Sequence, residues 1–183
     1  ECLQIDLAKG EQMKDEFAAI NPRRTVPVLI TEDGKSLSEN LAIAYYVDQL
    51  HPEPPLMGTD GFSRANVLEW NARVEFEGLH AIAEILRNTS PHMKNRAMTG
   101  RQNIPQIQEL AERGRMRIET FWEDLDNRLQ ETPFVAGDKF TLADITALVC
   151  VDFARWVKAS PAENLKALHS WHNKVSNRPS AHA

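Results

Sequence analysis

Three features near the start of the chain combine residue types that can do chemistry. The first is Val26-Pro27, set in the run Thr25-Val26-Pro27-Val28-Leu29-Ile30. Proline has no amide hydrogen, so inside a strand pattern it marks an edge or a cis bond. Val26 is thereby left with backbone groups that lack a sheet partner, and an extended peptide can pair with them by strand addition. The second is a helix predicted to start at the N-cap Ser38, with Glu39 and Asn40 in its first turn. Unpaired amides and the positive end of the helix dipole gather there and attract a carboxylate. The third is Glu39 itself, which beside that anion site can receive an ammonium. Glu39 and the amide of Asn40 can therefore hold an α-amino acid head group, and the three features together describe a site for a short peptide with a free amino-acid end. Singly, a Val-Pro is an edge feature and a Glu near a helix start complements the dipole; their order and spacing carry the reading.

Other constellations are weaker. His169-x-x-His172 can share a helix face, but no third ligand is placed by sequence, so packed or solvated imidazoles and no metal are expected. The chain has no Gly-rich phosphate loop, no Cys-x-x-Cys and no Gly-x-Ser-x-Gly elbow. Cys2 and Cys150 are too few and too far apart for a disulfide framework, which favours a reducing, cytoplasmic setting.

Composition narrows the partners. The 183 residues are 42% hydrophobic and 26% charged, and 21 Lys and Arg against 26 Asp and Glu give a net charge of -5. A nucleic acid would need a local basic patch, and the densest basic stretch, Arg113 to Arg117, sits among Glu109, Glu112 and Glu119 as on a solvated helix face. No nucleic-acid partner is expected. No apolar run approaches the roughly 18 residues of a spanning helix, so no membrane partner is expected either.

The elements that must position the first site form a small α/β unit. Leu3, Ile5 and Leu7 alternate with polar residues as in a strand, Lys14 to Ile20 suit a short helix, and Thr25 to Ile30 suit a second strand. Asp33-Gly34 signals a hairpin returning through Lys35 to Leu37. Glu39 to Leu50 reads as a helix that buries Leu41, Ile43, Ala44, Val47 and Leu50. The segment His51-Pro52-Glu53-Pro54-Pro55 cannot continue it. This divides the chain into residues 1–50, a linker over 51–61, and an all-helical unit over 62–183. In the last, helices are predicted over Ser63–Arg87, Gln106–Leu129, Thr141–Val157 and Ala162–Val175. Thr141-Leu142-Ala143-Asp144 is a capping box, with Phe140 and Ile145 placed as a hydrophobic staple. The helix it opens is apolar nearly all round and should lie at the centre of its unit.

Asn21-Pro22-x-x-x-Val26-Pro27-x-Leu29, the Asp-Gly hairpin and Leu37-Ser38-Glu39-Asn40-x-Ala42-Ile43-x-x-Tyr46-Val47 resemble the thioredoxin-like half of a cytosolic, bacterial-type glutathione S-transferase. The Pro-rich linker, Phe140-Thr141-Leu142-Ala143-Asp144-Ile145 and Arg178-Pro179 resemble that family's all-helical half. The resemblance covers essentially the whole chain. It implies an α+β fold, thioredoxin-like and then all-helical, and a cytoplasmic homodimer that uses glutathione as cosubstrate against a small hydrophobic electrophile, as in detoxification.

Residue by residue, the resemblance makes Pro27 the cis-proline and pairs the Val26 backbone with the cysteinyl unit of glutathione. It puts Glu39 and Asn40 at the γ-glutamyl end, Asn40 standing where the family usually has Ser. Arg23 or Arg24, with Arg24 preferred, would meet the glycine carboxylate. Trp70, Arg73, Phe76, Glu77 and His80, at helical spacing on the first long helix, are the candidates for the electrophile pocket. The family's first strand and its helix, on the order of 30 residues, lie between the strands at Leu3–Leu7 and Val26–Ile30 in the sheet and are expected in addition to the sequence given. The catalytic Ser, Tyr or Cys at the end of that strand is therefore not readable here. A Ser or Tyr would favour conjugation and a Cys thiol transfer, so a glutathione-dependent disulfide reductase or peroxidase is one alternative; a non-catalytic interaction module of the same fold is the other.

Overall fold

The structure, a computed structural model, describes residues 2–182. Short-range chemistry shapes the first unit. A 3₁₀ turn, Glu11–Met13, leads into α1, Asp15–Ile20, whose Phe17 is buried, and Asn21 closes α1 by donating its backbone N–H to the Phe17 carbonyl at 2.9 Å. The Asn21 side chain then ties the following loop, donating to the Thr25 carbonyl at 2.8 Å. Strands β1, Leu29–Ile30, and β2, Ser36–Leu37, pair antiparallel in the register Leu29 with Leu37. The hairpin turns at Gly34, which has φ 80° and donates to the Thr31 carbonyl at 2.9 Å. A left-handed backbone at the turn is what glycine tolerates without a Cβ clash.

Two strand expectations are corrected. Residues 3–7 make no ladder, and the strand predicted over Thr25–Ile30 is reduced to its last two residues. Alternation decides which side chains share a face, but a strand also needs an edge to pair with. Among the described residues β1 has only β2 beside it, and Pro27 offers no donor. Leu3 and Leu7 are correspondingly exposed.

The helix α2, Asn40–Leu50, does not bury all of its predicted face: Val47 and Leu50 are exposed, and the buried residue is Asp48, which accepts from the Met57 N–H at 3.2 Å. That bond and the one from the Leu142 N–H to the Leu56 carbonyl, 2.9 Å, fasten the Pro-rich connection to both units.

The helical unit comprises α3, Gly61–Arg73; α4, His80–Thr89; α5, Gln108–Glu131; α6, Leu142–Ala154; and α7, Lys166–Ser176. Asp60 caps α3 through the Phe62 and Ser63 amides, so the helix starts two residues before the predicted Ser63. The single helix predicted over Ser63–Arg87 is instead α3 and α4 joined by a π turn, Val74–Leu79. Such a wider turn shifts the side-chain face on either side of it. Gly78 lies inside the turn, where a Cβ would come within 2.7 Å of Cys150 Sγ and Phe121 Cε1. Gly114 of α5 likewise approaches the Ala81 carbonyl of α4, where a Cβ would stand 2.6 Å away. These glycines let α4, α5 and α6 pack around Ile82, Ile85, Ile118, Phe121 and Leu125.

The capping box at α6 forms and does more than cap. Asp144 is fully buried and accepts from the Thr141 N–H at 2.9 Å, the Thr141 hydroxyl at 3.2 Å, the Val135 N–H at 2.9 Å and Trp171 Nε1–H at 2.9 Å. It thus joins α6, α7 and the preceding loop. Phe140 packs edge-on against Phe134 and under the Arg178 guanidinium, while Ile145 is 37% exposed.

Candidate active site

A cleft of about 210 Å³ gathers Val26, Pro27, Glu39, Asn40, Arg23 and Thr99. The Val26-Pro27 bond is cis. Val26 is 38% exposed, and among the described residues its backbone N–H and carbonyl have no hydrogen-bond partner. An unpaired donor and acceptor on one residue, facing a cleft, form a one-residue strand edge.

Across the cleft stands the start of α2. The predicted cap is displaced by one residue: Glu39, not Ser38, is the N-cap, with extended backbone at φ -124° and ψ 137°. Its carboxylate makes no capping bond, because it turns to Arg23, whose Nη2 lies 3.1 Å from Oε1. The first helical bond runs from the Ile43 N–H to the Glu39 carbonyl at 2.9 Å. The amides of Asn40, Leu41 and Ala42 are therefore left free for an acceptor, as at any helix start that lacks a side-chain cap.

Arg24 does not face this cleft. Its backbone is left-handed, φ 56°, and its guanidinium donates to the Met13 carbonyl and to Asp15 Oδ1, the latter at 3.1 Å. It lines instead a larger cleft of about 730 Å³, which shares Thr25, Val26 and Thr99 with the first. Gln12 and Met13 line one side of this cleft, and Arg87, His92, Met93 and Arg96 the other. Gln12 Oε1 is buried without a hydrogen-bond partner, an acceptor open to a ligand N–H.

The five residues predicted for an electrophile pocket line neither cleft. Trp70 is a core residue whose ring meets the guanidinium groups of Arg73, 4.4 Å from the ring centre, and Arg128, 5.2 Å. Arg73 pairs with Glu77 at 3.4 Å and with Asp124 at 3.3 Å. Phe76 and His80 are exposed, their ring centres 5.9 Å apart. Helical spacing brings these residues near one another, and Arg117, Asp124 and Arg128 of α5 engage Phe76, Arg73 and Trp70. Thr99, Gln12, Arg87 and Arg96 had no signal of their own in the sequence; Thr99 and Arg96 lie in the aperiodic segment between α4 and α5.

The two cysteines sit far from this chemistry in kind. Burial pushes the Cys150 thiol far up, beyond the range of a nucleophile at neutral pH, whereas Cys2 is exposed. Among the described residues no three His, Cys, Asp or Glu converge as a metal site. His169 instead meets the Ala162 carbonyl at 3.0 Å and His172 meets Asp152 at 3.0 Å. No helix among the described residues is long and apolar enough to cross a membrane.

Comparison with known proteins meets this geometry from both ends of the chain. Residues 3–55 match the glutathione S-transferase N-terminal domain, and residues 82–179 match the glutathione S-transferase C-terminal domain. The chain belongs to the glutathione S-transferase family. Glutathione S-transferase 2 of Saccharomyces cerevisiae is 34% identical over 178 residues, 97% of this chain and 74% of that protein. The crystal structure of Gtt2 from Saccharomyces cerevisiae superposes with a TM-score of 0.89 at 33% identity, over 100% of this chain and 85% of that one. YfcG of Escherichia coli, a disulfide-bond oxidoreductase, is 25% identical over 188 residues, 97% of this chain and 79% of that protein. The fold is accordingly a thioredoxin-like unit with a small sheet followed by an all-helical unit, and Val26, Pro27, Glu39 and Asn40 lie in the first of these.

Proposed function

We propose that this member of the glutathione S-transferase family is a transferase that binds glutathione across the smaller cleft and directs its thiol at an electrophile in the larger one. One observation carries the reading: Val26 with its unpaired backbone, Glu39, and Asn40 at the uncapped start of α2 line one cleft. The Val26 N–H and carbonyl pair with the cysteinyl unit. The Asn40 amide donates to the γ-glutamyl carboxylate, assisted by the helix dipole. Glu39 receives the γ-glutamyl ammonium on the oxygen that Arg23 leaves free. Arg24 faces the glycine carboxylate from the adjoining cleft. These contacts fix the thiol beside Val26, where the two clefts meet.

In the reaction a hydrogen bond to the sulfur lowers the thiol pKa, so more of it is thiolate at neutral pH. The thiolate attacks the electrophile, a sulfur–carbon bond forms, and the leaving group departs with its electron pair.

The protein acts as a cytoplasmic homodimer in this reading. Leu37, Leu41, Ala42, Tyr45, Tyr46 and Leu68 form an almost wholly apolar depression on the face of α2 and α3, suited to a second copy. A disulfide-reductase activity is the second reading, favoured by the similarity to YfcG.

Calorimetric titration of glutathione, followed by an assay with 1-chloro-2,4-dinitrobenzene, tests the proposal. Binding with conjugation supports it. Binding with thiol–disulfide exchange in place of conjugation selects the second reading, and no binding overturns both.

A further inference from the structure

The larger cleft has an electrostatic character at odds with the chain around it. The chain carries a net charge of -5, yet Lys9, Arg24, Arg87, His92 and Arg96 line this cleft and no described Asp or Glu does. Two of these cations have a carboxylate beside them: Lys9 pairs with Asp6 at 3.0 Å and Arg24 with Asp15 at 3.1 Å. Arg87 and Arg96 do not. Among the described residues neither meets a carboxylate. Arg87 Nη1 donates to the Arg96 carbonyl at 3.3 Å, and Arg96 donates to Asn103 Oδ1 and to Met13 Sδ, each at 3.4 Å.

Two guanidinium groups in one cleft, one of them half-buried, repel each other and lose hydration. Burial first, and the Arg96 charge second, hold the Arg87 guanidinium below its ordinary range. An arrangement that is unfavourable when empty becomes favourable when an anion spans the pair, since planar guanidinium forks match carboxylate geometry. Met13, Met93 and Val26 supply apolar wall beside them.

We infer that Arg87 and Arg96 select a second substrate that carries an anionic group, a carboxylate joined to an apolar electrophile, and anchor that group while its reactive carbon lies over Val26. This rests on the transferase reading and narrows its electrophile from hydrophobic to amphiphilic and acidic. With 4-chloro-3-nitrobenzoate as a representative of the class, the glutathione thiolate forms a sulfur–carbon bond at the chlorinated carbon. The carbon–chlorine bond breaks, chloride leaves with the electron pair, and the thiol proton goes to solvent.

The test uses matched probes that differ only in charge: the glutathione conjugates of 4-chloro-3-nitrobenzoate and of its carboxamide, titrated calorimetrically together with glutathione itself. The native protein should bind the carboxylate conjugate at least tenfold more tightly than the carboxamide. In the Arg87→Gln/Arg96→Gln variant that preference should vanish, with glutathione affinity unchanged within about twofold. The Arg87→Lys/Arg96→Lys variant should restore part of the preference through charge alone, which a merely structural role would not do. Equal affinity for the two conjugates in the native protein overturns this inference and leaves the transferase reading standing. A loss confined to glutathione affinity in the Gln variant also overturns it, assigning the pair to the glycine carboxylate. Failure of the native protein to bind glutathione overturns both.

Discussion

The Arg23 guanidinium lies 3.1 Å from the Glu39 carboxylate at the mouth of the smaller cleft, so the one acid expected to receive a ligand ammonium is partly engaged by the protein's own cation. Both side chains are mostly exposed, 67% and 61%, and an exposed pair contributes at most about 1 kcal/mol to stability. The pair therefore bears on recognition more than on folding. Glu39→Ala should weaken glutathione binding by about 1.5 to 3 kcal/mol, the scale of a hydrogen bond to a charged group. Its melting temperature should barely move. Unchanged affinity by calorimetry removes Glu39 from the site.

Asp144 lies under a heavier constraint than a cap alone implies. Asp144→Ala leaves the Val135 N–H, the Thr141 N–H and the Trp171 indole N–H without acceptors in the core. At about 1 to 3 kcal/mol for each buried unpaired group, the loss should exceed that of an ordinary cap. Urea denaturation measures it, and a loss below about 1 kcal/mol would contradict the buried network.

The same carboxyl predicts a pH dependence. Burial raises its pKa above the ordinary 3.8, against the pull of the hydrogen bonds from Val135, Trp171 and Thr141. In the window between 3.8 and the raised native value, the native state therefore holds more protons than the unfolded chain. The contribution of this group to stability is full below 3.8 and is lost as pH rises through the native value. The stability difference between the native protein and Asp144→Asn, which lacks this titration, should shrink over that rise. A difference that grows with pH would show that the hydrogen bonds outweigh burial.

Gly78→Ala places a methyl within 2.7 Å of Cys150 Sγ and Phe121 Cε1. Overpacking of this kind costs roughly 1 to 3 kcal/mol. The double variant Gly78→Ala/Cys150→Ala should recover part of the loss, because one of the two obstructing atoms is removed. No recovery in thermal melts would assign the loss to the π turn itself.

The thiols should differ sharply in reactivity. Cys2 is exposed, while Cys150 is buried with its pKa pushed up. Iodoacetamide at mildly alkaline pH should label Cys2 and spare Cys150 until denaturant is added. Peptide mapping by mass spectrometry reads the result directly, and prompt labelling of Cys150 in the folded protein would contradict its burial.

Features that act over a few residues followed directly from the sequence. The α6 capping box, the Asp33-Gly34 hairpin and the exposed Val26-Pro27 edge were all legible, because caps, turns and prolines work through their nearest neighbours. The periodicity of α5 was legible too, since one long apolar face meets one core. Register was harder. The cap of α2 is Glu39 and not Ser38, and its carboxylate makes no capping bond because Arg23, from another loop, pairs with it. Which side chains line the two clefts followed from long-range packing. Packing against α5 holds Trp70 in the core, and the chain fold brings Arg87 and Arg96 into one cleft with Val26. Spacing along a helix reports which residues share a face; what lies opposite that face depends on long-range contacts that no local pattern encodes.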